Sequence, residues 1–294
     1  MILITNFERP TEEPAASRPS DTRARPLTPI IRSTAKAGGP SRPLRSGPIA
    51  VVDLYRDLVN GLSHAELETL RHALLLPTVR LQPGRCELTA CAEVAEARGL
   101  IGVVVTAGLI ISEVRLAGHV SAQLYGPGDL LSGNHEPNGS LAITQSLRAP
   151  VPTSLAILDD RFVAAVSRWP RLAAAFFTQT MCQIDRAREH QTICQLTRVE
   201  DRLMTLFWSL ADRWGRVRVD GVTIDLPLTH ETIGRLIGAR RPTVTLGLRE
   251  LARQRLLCRE QGGRWLVATE SLHRVNGPNF RDHWYHSPAG VAAS

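Results

Sequence analysis

The sequence predicts an α+β chain: an N-terminal β-roll or jelly roll, one long helix, and a C-terminal helix-turn-helix carrying a β-hairpin wing. Three observations predict it. Between Val79 and Leu158, short β-rich runs (GLIGVVVTA, LIISEVRLA, SAQLY, LAITQSL, SLAILD) are punctuated by Gly, Pro and Asn, the pattern of a closed or sandwiched antiparallel sheet. The stretch RLAAAFFTQTMCQIDRAREHQTICQL then runs without Gly or Pro. Finally, residues 228–270 hold two short apolar-periodic segments around a glycine, followed by two β-rich runs around Gln261-Gly262-Gly263.

Taken in order, residues 1–49 contain eight prolines and little apolar periodicity, so a disordered tail is expected. Its Arg23, Arg25, Arg32, Lys36, Arg42 and Arg45 offer weak phosphate contacts at most. Residues 50–165 are expected to form the β-roll domain. It opens on LYRDLVNGLSHAELETLRHALLL, two short helices broken at Asn60-Gly61, with Ser63 and Glu66 as a capping box for the second. The long helix, 166–196, places Phe177, Thr180, Met181, Ile184, Ala187 and Gln191 on one face and Asp185, Arg186 and Glu189 on the other. Residues 197–270 are expected to form the last domain. Residues 271–294, with Asn276-Gly277-Pro278 and the histidines His273, His283 and His286, read as a loose tail rather than a metal site.

Within the last domain, Thr229 can cap a helix whose inward face is Ile233, Leu236 and Ile237, and Gly238 supplies the turn. The next helix takes Pro242 in its first turn and buries Val244, Leu248 and Leu251. It carries Arg240, Arg241, Arg249, Arg253 and Arg255 against Glu250, a strongly cationic surface. At about 100° per residue, Pro242, Leu246, Arg249 and Arg253 lie opposite the buried face, with Thr245 at its edge and Arg241 at the entry turn. An arginine at that end of a helix can pair with guanine O6 and N7 in the major groove. Candidate DNA contacts are Thr229, His230, Arg240, Arg241, Thr243, Thr245, Leu246, Arg249, Arg253 and, in the wing, Arg264.

These residues resemble the DNA-binding module of the Crp/Fnr family. Thr229, Ile233-Gly234 and Gly238 match its first helix and turn, and Arg241-Pro242-Thr243-Val244 stands where the family has R-E-T-V, proline replacing the glutamate that reads cytosine. Leu246 replaces a second base-reading arginine. Upstream, Gly108, Gly118 and Gly126-Pro127-Gly128-Asp129 fall where the family's cyclic-nucleotide-binding-like β-roll has its turn glycines and P-G-D, and family-like sequence begins near Val51. The resemblance implies the family's short helix over Arg161–Pro170, a hinge near Gln195 to Arg198, and a homodimer joined along Phe177, Met181, Ile184, Ala187 and Gln191. It further implies double-stranded DNA with a palindromic operator as partner, RNA polymerase as a second partner, and no catalytic residues. Cyclic AMP is not expected as effector. After P-G-D this chain reads LLSGNHEPNGSLAITQSL, without the G-E and R-[ST] pairs, and no arginine lies between Arg115 and Arg148. A buried cyclic phosphate would then lack a cation. Nor is an iron–sulfur cluster expected, because residues 1–85 hold no cysteine and Cys86 and Cys91 cannot supply four thiolates.

Charge and composition agree with these expectations. The net charge of +7 and pI near 9.8 point to a polyanionic partner. No apolar run reaches the length of a membrane span and no signal-peptide pattern opens the chain, so a cytoplasmic location without a membrane partner is expected. Neither an H-E-x-x-H, a Ser/His/Asp set nor a glycine-rich phosphate loop is present, which argues against an enzyme. The five scattered cysteines, Cys86, Cys91, Cys182, Cys194 and Cys258, give no disulfide framework, and most are expected to be small buried hydrophobes. The competing expectation is an architectural DNA-binding protein that works without a ligand.

Overall fold

The computed structural model describes residues 43–54, 64–133 and 141–272. In chain order its N-terminal domain comprises β1 (Leu44–Ala50), α1 (Val51–Leu54), α2 (His64–Ala73), β2 (Leu75–Leu81), β3 (Gly84–Cys86), α3 (Leu88–Val94), β4 (Gly102–Ala107), β5 (Ile110–Leu116), β6 (His119–Tyr125), β7 (Leu130–Ser132), β8 (Thr144–Ala149) and β9 (Thr153–Leu158). Two antiparallel sheets result, one ordered β1-β2-β9-β4-β7 and the other β3-β8-β5-β6.

The larger sheet is covered on both faces, which explains its continuous apolar runs. Val79, Leu81, Val103, Val105, Leu155 and Ile157 point into the space between the sheets. The alternate residues Leu76, Val104, Ala156 and Leu158 pack beneath Leu70, Phe162 and Leu172 of the helices outside and Leu74 of the link between α2 and β2. The helix α4 (Asp160–Val166) supplies Phe162 and is capped by Asp159, whose carboxylate accepts from the backbone N–H of Arg161 and Phe162.

Two features differ from expectation. Leu44–Ala50 is a strand paired with β2, not the end of a tail. Its side chains are mostly exposed and its register slips between Ser46 and Ile49, around Pro48. Backbone pairing at a sheet edge holds it there, and hydrophobic periodicity carries no trace of that. The second is α3, which interrupts the β-rich region and buries Leu88 and Cys91 without a side-chain cap. The expected tail of residues 1–42, the Asn60-Gly61 break, Ser63 and the terminal histidines lie outside the described residues. Of the cysteines, Cys86 and Cys91 are buried, Cys194 and Cys258 half-buried and Cys182 exposed. Burial pushes the Cys86 and Cys91 thiols up to about 12, keeping them protonated.

The long helix α5 (Pro170–Gln195) and α6 (Val199–Trp214) meet at a short break. There Arg202 donates to the carbonyls of Leu196 at 2.6 Å and Ile237 at 3.2 Å. The rest comprises β10 (Gly215–Arg218), β11 (Gly221–Ile224), α7 (His230–Ile237), α8 (Arg241–Arg253), β12 (Leu257–Arg259) and β13 (Trp265–Val267). The expected hairpin β12–β13 is therefore half of a four-stranded sheet ordered β10-β11-β13-β12. The domain also runs past residue 270. Ser271 is fully buried and accepts a 3.0 Å hydrogen bond from Trp208 Nε1, and Leu272 packs on the core.

One buried cluster joins the two domains: Leu109, Ile111, Ala122 and Leu124 of the β-roll lie in it with Leu206, Leu210 and Leu236. The approach is close. A Cβ on Gly126 would stand 2.5 Å from the Trp214 ring, and Arg235 of α7 makes an ion pair with Glu113 of β5.

Candidate nucleic-acid interface

The interface begins with the cap of α7. Thr229 is extended and its hydroxyl accepts from the Thr232 N–H at 3.1 Å, so the helix starts where the sequence places it. Gly238 ends it in the left-handed region at φ 65°, which turns the chain into α8 with no Cβ penalty. Arg240 occupies the N-cap of α8, and Arg241 and Pro242 its first two positions. The helix is anchored by buried Val244, Leu248 and Leu251 and by Gly247, where a Cβ would stand 2.9 Å from Leu203 of α6.

Opposite that anchor, Arg240, Arg241, Thr243, Leu246, Arg249 and Arg253 are exposed, and Thr245 is half-buried. Leu246 is 64% exposed, a large apolar side chain held out on the cationic face. His230 brings several of the candidates together. Its Nδ1 lies 2.9 Å from Thr245 Oγ1, and burial, then the positive charges of Arg259, Arg241 and Arg249, push its pKa below the ordinary 6.5. Three positive charges thus bear on a ring that touches a hydroxyl, a setting that suits an anion.

Two candidates are partly spoken for. Arg253 forms a hydrogen-bonded ion pair with Glu250 at 2.7 Å, and Arg264 lies 3.7 Å from Glu260, which also pairs with Arg218. Sequence reasoning missed Arg259, whose guanidinium stacks over Trp265 at 5.3 Å and bears on His230 from the wing. Its signal was present: Arg259 and Arg264 flank the same glycine turn.

The long helix completes the arrangement. Gln179 and Gln183 hydrogen-bond the backbone of Gly128 and Leu130 in the β-roll, and Arg186 pairs with buried Asp129. Arg186 was expected on a solvent face; it is instead an inward anchor, because Asp129 draws it in. The opposite face carries Phe177, Met181 and Ile184, exposed at 65%, 38% and 38%, with Ala187 and Gln191 also exposed. Arg188, beside that face, pairs with Asp185 at 3.1 Å.

Among the described residues no helix is long and apolar enough to cross a membrane. The Crp-like helix-turn-helix domain family matches residues 201–274. No curated protein matches the chain. Among solved structures, a CooA mutant from Carboxydothermus hydrogenoformans shares 15% identity, with 74% of this chain and 93% of that one covered at a TM-score of 0.53. FixK2 from Bradyrhizobium japonicum shares 19% identity, covering 62% and 96% at 0.49. A Crp-family transcriptional regulator from Thermus thermophilus shares 19%, covering 68% and 96% at 0.49. Residues 201–274 are thus a Crp-like helix-turn-helix domain, and the chain as a whole shares its fold with the CooA structure.

Proposed function

We propose that the protein works as a homodimer that reads a palindromic operator and does not answer to cyclic AMP. The observation that carries this reading is the two-sidedness of α5. Its face toward the β-roll is polar (Gln179, Gln183, Arg186), while its outward face is apolar (Phe177, Met181, Ile184). An isolated subunit would bury the second kind of face and expose the first; a second copy laid along the helix removes the contradiction. The outward residues 177, 181, 184, 188, 191 and 195 alternate by four and three, the spacing of a coiled-coil seam.

Two recognition helices α8 related by a two-fold axis would enter major grooves about 34 Å apart. Arg241 would read a guanine, Leu246 would favour a thymine methyl, and Thr243, His230 and Arg249 would hold phosphates. Cyclic AMP is disfavoured by sequence: residues 130–147 offer its phosphate no arginine. The cytoplasm, where the DNA and RNA polymerase are, is the place of action.

Selection of bound duplexes from a random pool tests the reading, with cyclic AMP titrated by calorimetry alongside. An inverted repeat with half-sites one helical turn apart and no saturable cyclic-AMP binding are expected. Tight, strongly salt-dependent binding without preference among duplexes would instead make this an architectural protein.

A further inference from the structure

One carboxylate ties three parts of the molecule together. Asp129, in the turn between β6 and β7, is 2% exposed. Its oxygens accept from the Gly126 N–H at 2.8 Å, from Arg186 Nη1 of the long helix at 2.6 Å, and from Arg213 Nη2 in the last turn of α6. Arg213 in turn lies over the Trp214 ring at 3.9 Å, and that ring closes on Gly126. The β-roll, the long helix and the DNA-binding domain are therefore joined at one buried anion.

Where that junction sits matters more than its strength. The helix α6 is held at its start by Arg202, on Leu196 and Ile237, and near its end by Arg213, eleven residues or about 16 Å further on. A rod fixed at two separated points cannot swing. The recognition helix rides on that rod, because Gly247 of α8 is packed against Leu203 and Val199. Arg186 stands on α5 opposite the apolar seam, so the same carboxylate refers α6 to the helix that would lie on the dimer axis. We propose that Asp129 is a positioning residue for operator reading: through Arg186 and Arg213 it fixes the separation and tilt of the two recognition helices, and with them the half-site spacing that the dimer accepts.

The inference rests on the dimeric, palindrome-reading function proposed above, and its test separates the two. Binding is followed by fluorescence anisotropy for the full chain on three kinds of duplex: the selected operator, the same operator with its spacer lengthened or shortened by a base pair, and a single half-site. Asp129→Asn keeps an acceptor for the Gly126 N–H but removes the charge facing both arginines. It is expected to reduce the preference for the selected spacing about fivefold or more while changing single half-site affinity less than about twofold. Arg213→Gln, which leaves the turn and the Arg186 pair intact, is expected to do the same, and it carries the test alone if Asp129→Asn does not fold. A spacing preference unchanged in the folded variants overturns the inference, as does an equal loss on single half-sites and operators, which would mark general structural damage. A wild-type protein with no spacing preference overturns both this inference and the dimeric reading; a wild-type preference that survives both variants overturns this inference alone.

Discussion

Arg241 is exposed at the first position of α8, next to a proline that cannot contact a base through hydrogen bonds, so its guanidinium is the group best placed to select one. Arg241→Ala should cost about 1–3 kcal/mol on the selected operator and flatten preference at one symmetric position, measured by anisotropy on single-base variants. Equal weakening on random DNA would make it a phosphate clamp. Arg253 offers the contrast, since Glu250 already holds it and its removal should change binding less than removal of Arg249. His230 supplies a pH signature. Free, its pKa lies below 6.5, pushed down by burial and by Arg259, Arg241 and Arg249. A bound phosphate favours the charged ring, so binding takes up a proton and affinity should rise as pH falls below about 6.5. The sign reverses for stability, because the unfolded chain binds that proton more readily and the fold loses ground over the same window. His230→Gln should flatten the pH dependence of binding; if it leaves the slope intact, the ring does not meet phosphate. The cap Thr229 and the turn Gly238 were legible from residue type alone, since each position admits few alternatives. Arg259 and Asp129 were not, because their importance lies in what comes near them across the fold.

At the scale of elements, the long helix behaves as a strip with two different sides. A charge placed on its outward side should be harmless in a lone subunit and intolerable in a pair, where it meets its own copy near the axis. Ile184→Asp should therefore leave the circular dichroism spectrum intact and convert the sedimenting species to monomer. A dimer that persists would put the contact elsewhere. The sequence announced this strip through its 3.6-residue period, and announced α7 and α8 through cap, glycine and apolar face together. Other elements were hidden for identifiable reasons. β1 buries little and is held by backbone pairing with β2, so it has no side-chain period to show. α3 is a short helix without a side-chain cap, set among strands, and its two buried residues are too few to set a period. β10 is mostly exposed at the edge of its sheet, and only the company of β11 and β13 makes it a strand.

For the whole molecule, the joint between the domains is set at Gly126, where a Cβ would stand 2.5 Å from Trp214. Gly126→Ala should force the ring aside and prise the DNA-binding domain from the β-roll. Faster proteolytic cleavage near Leu196 to Arg198 and a red-shifted tryptophan emission are the expected readings, and a variant indistinguishable from wild type in both would show that the joint has slack. The division of the chain into a β-roll, a helix and a winged domain was readable in order, but not the way they lean on one another, since contacts such as Arg235 with Glu113 span more than a hundred residues. The shared cluster of Leu109, Ile111, Ala122 and Leu124 with Leu206, Leu210 and Leu236 bears on how such a protein can be taken apart. A reader head grafted onto a foreign sensor, or expressed alone, would carry Leu206, Leu210 and Leu236 out into water, a sticky flank that invites clumping. Working chimeras of this protein would need a host whose surface offers leucines of its own at the same place, so its helix-turn-helix domain is less a detachable cartridge than a graft that must find matching tissue.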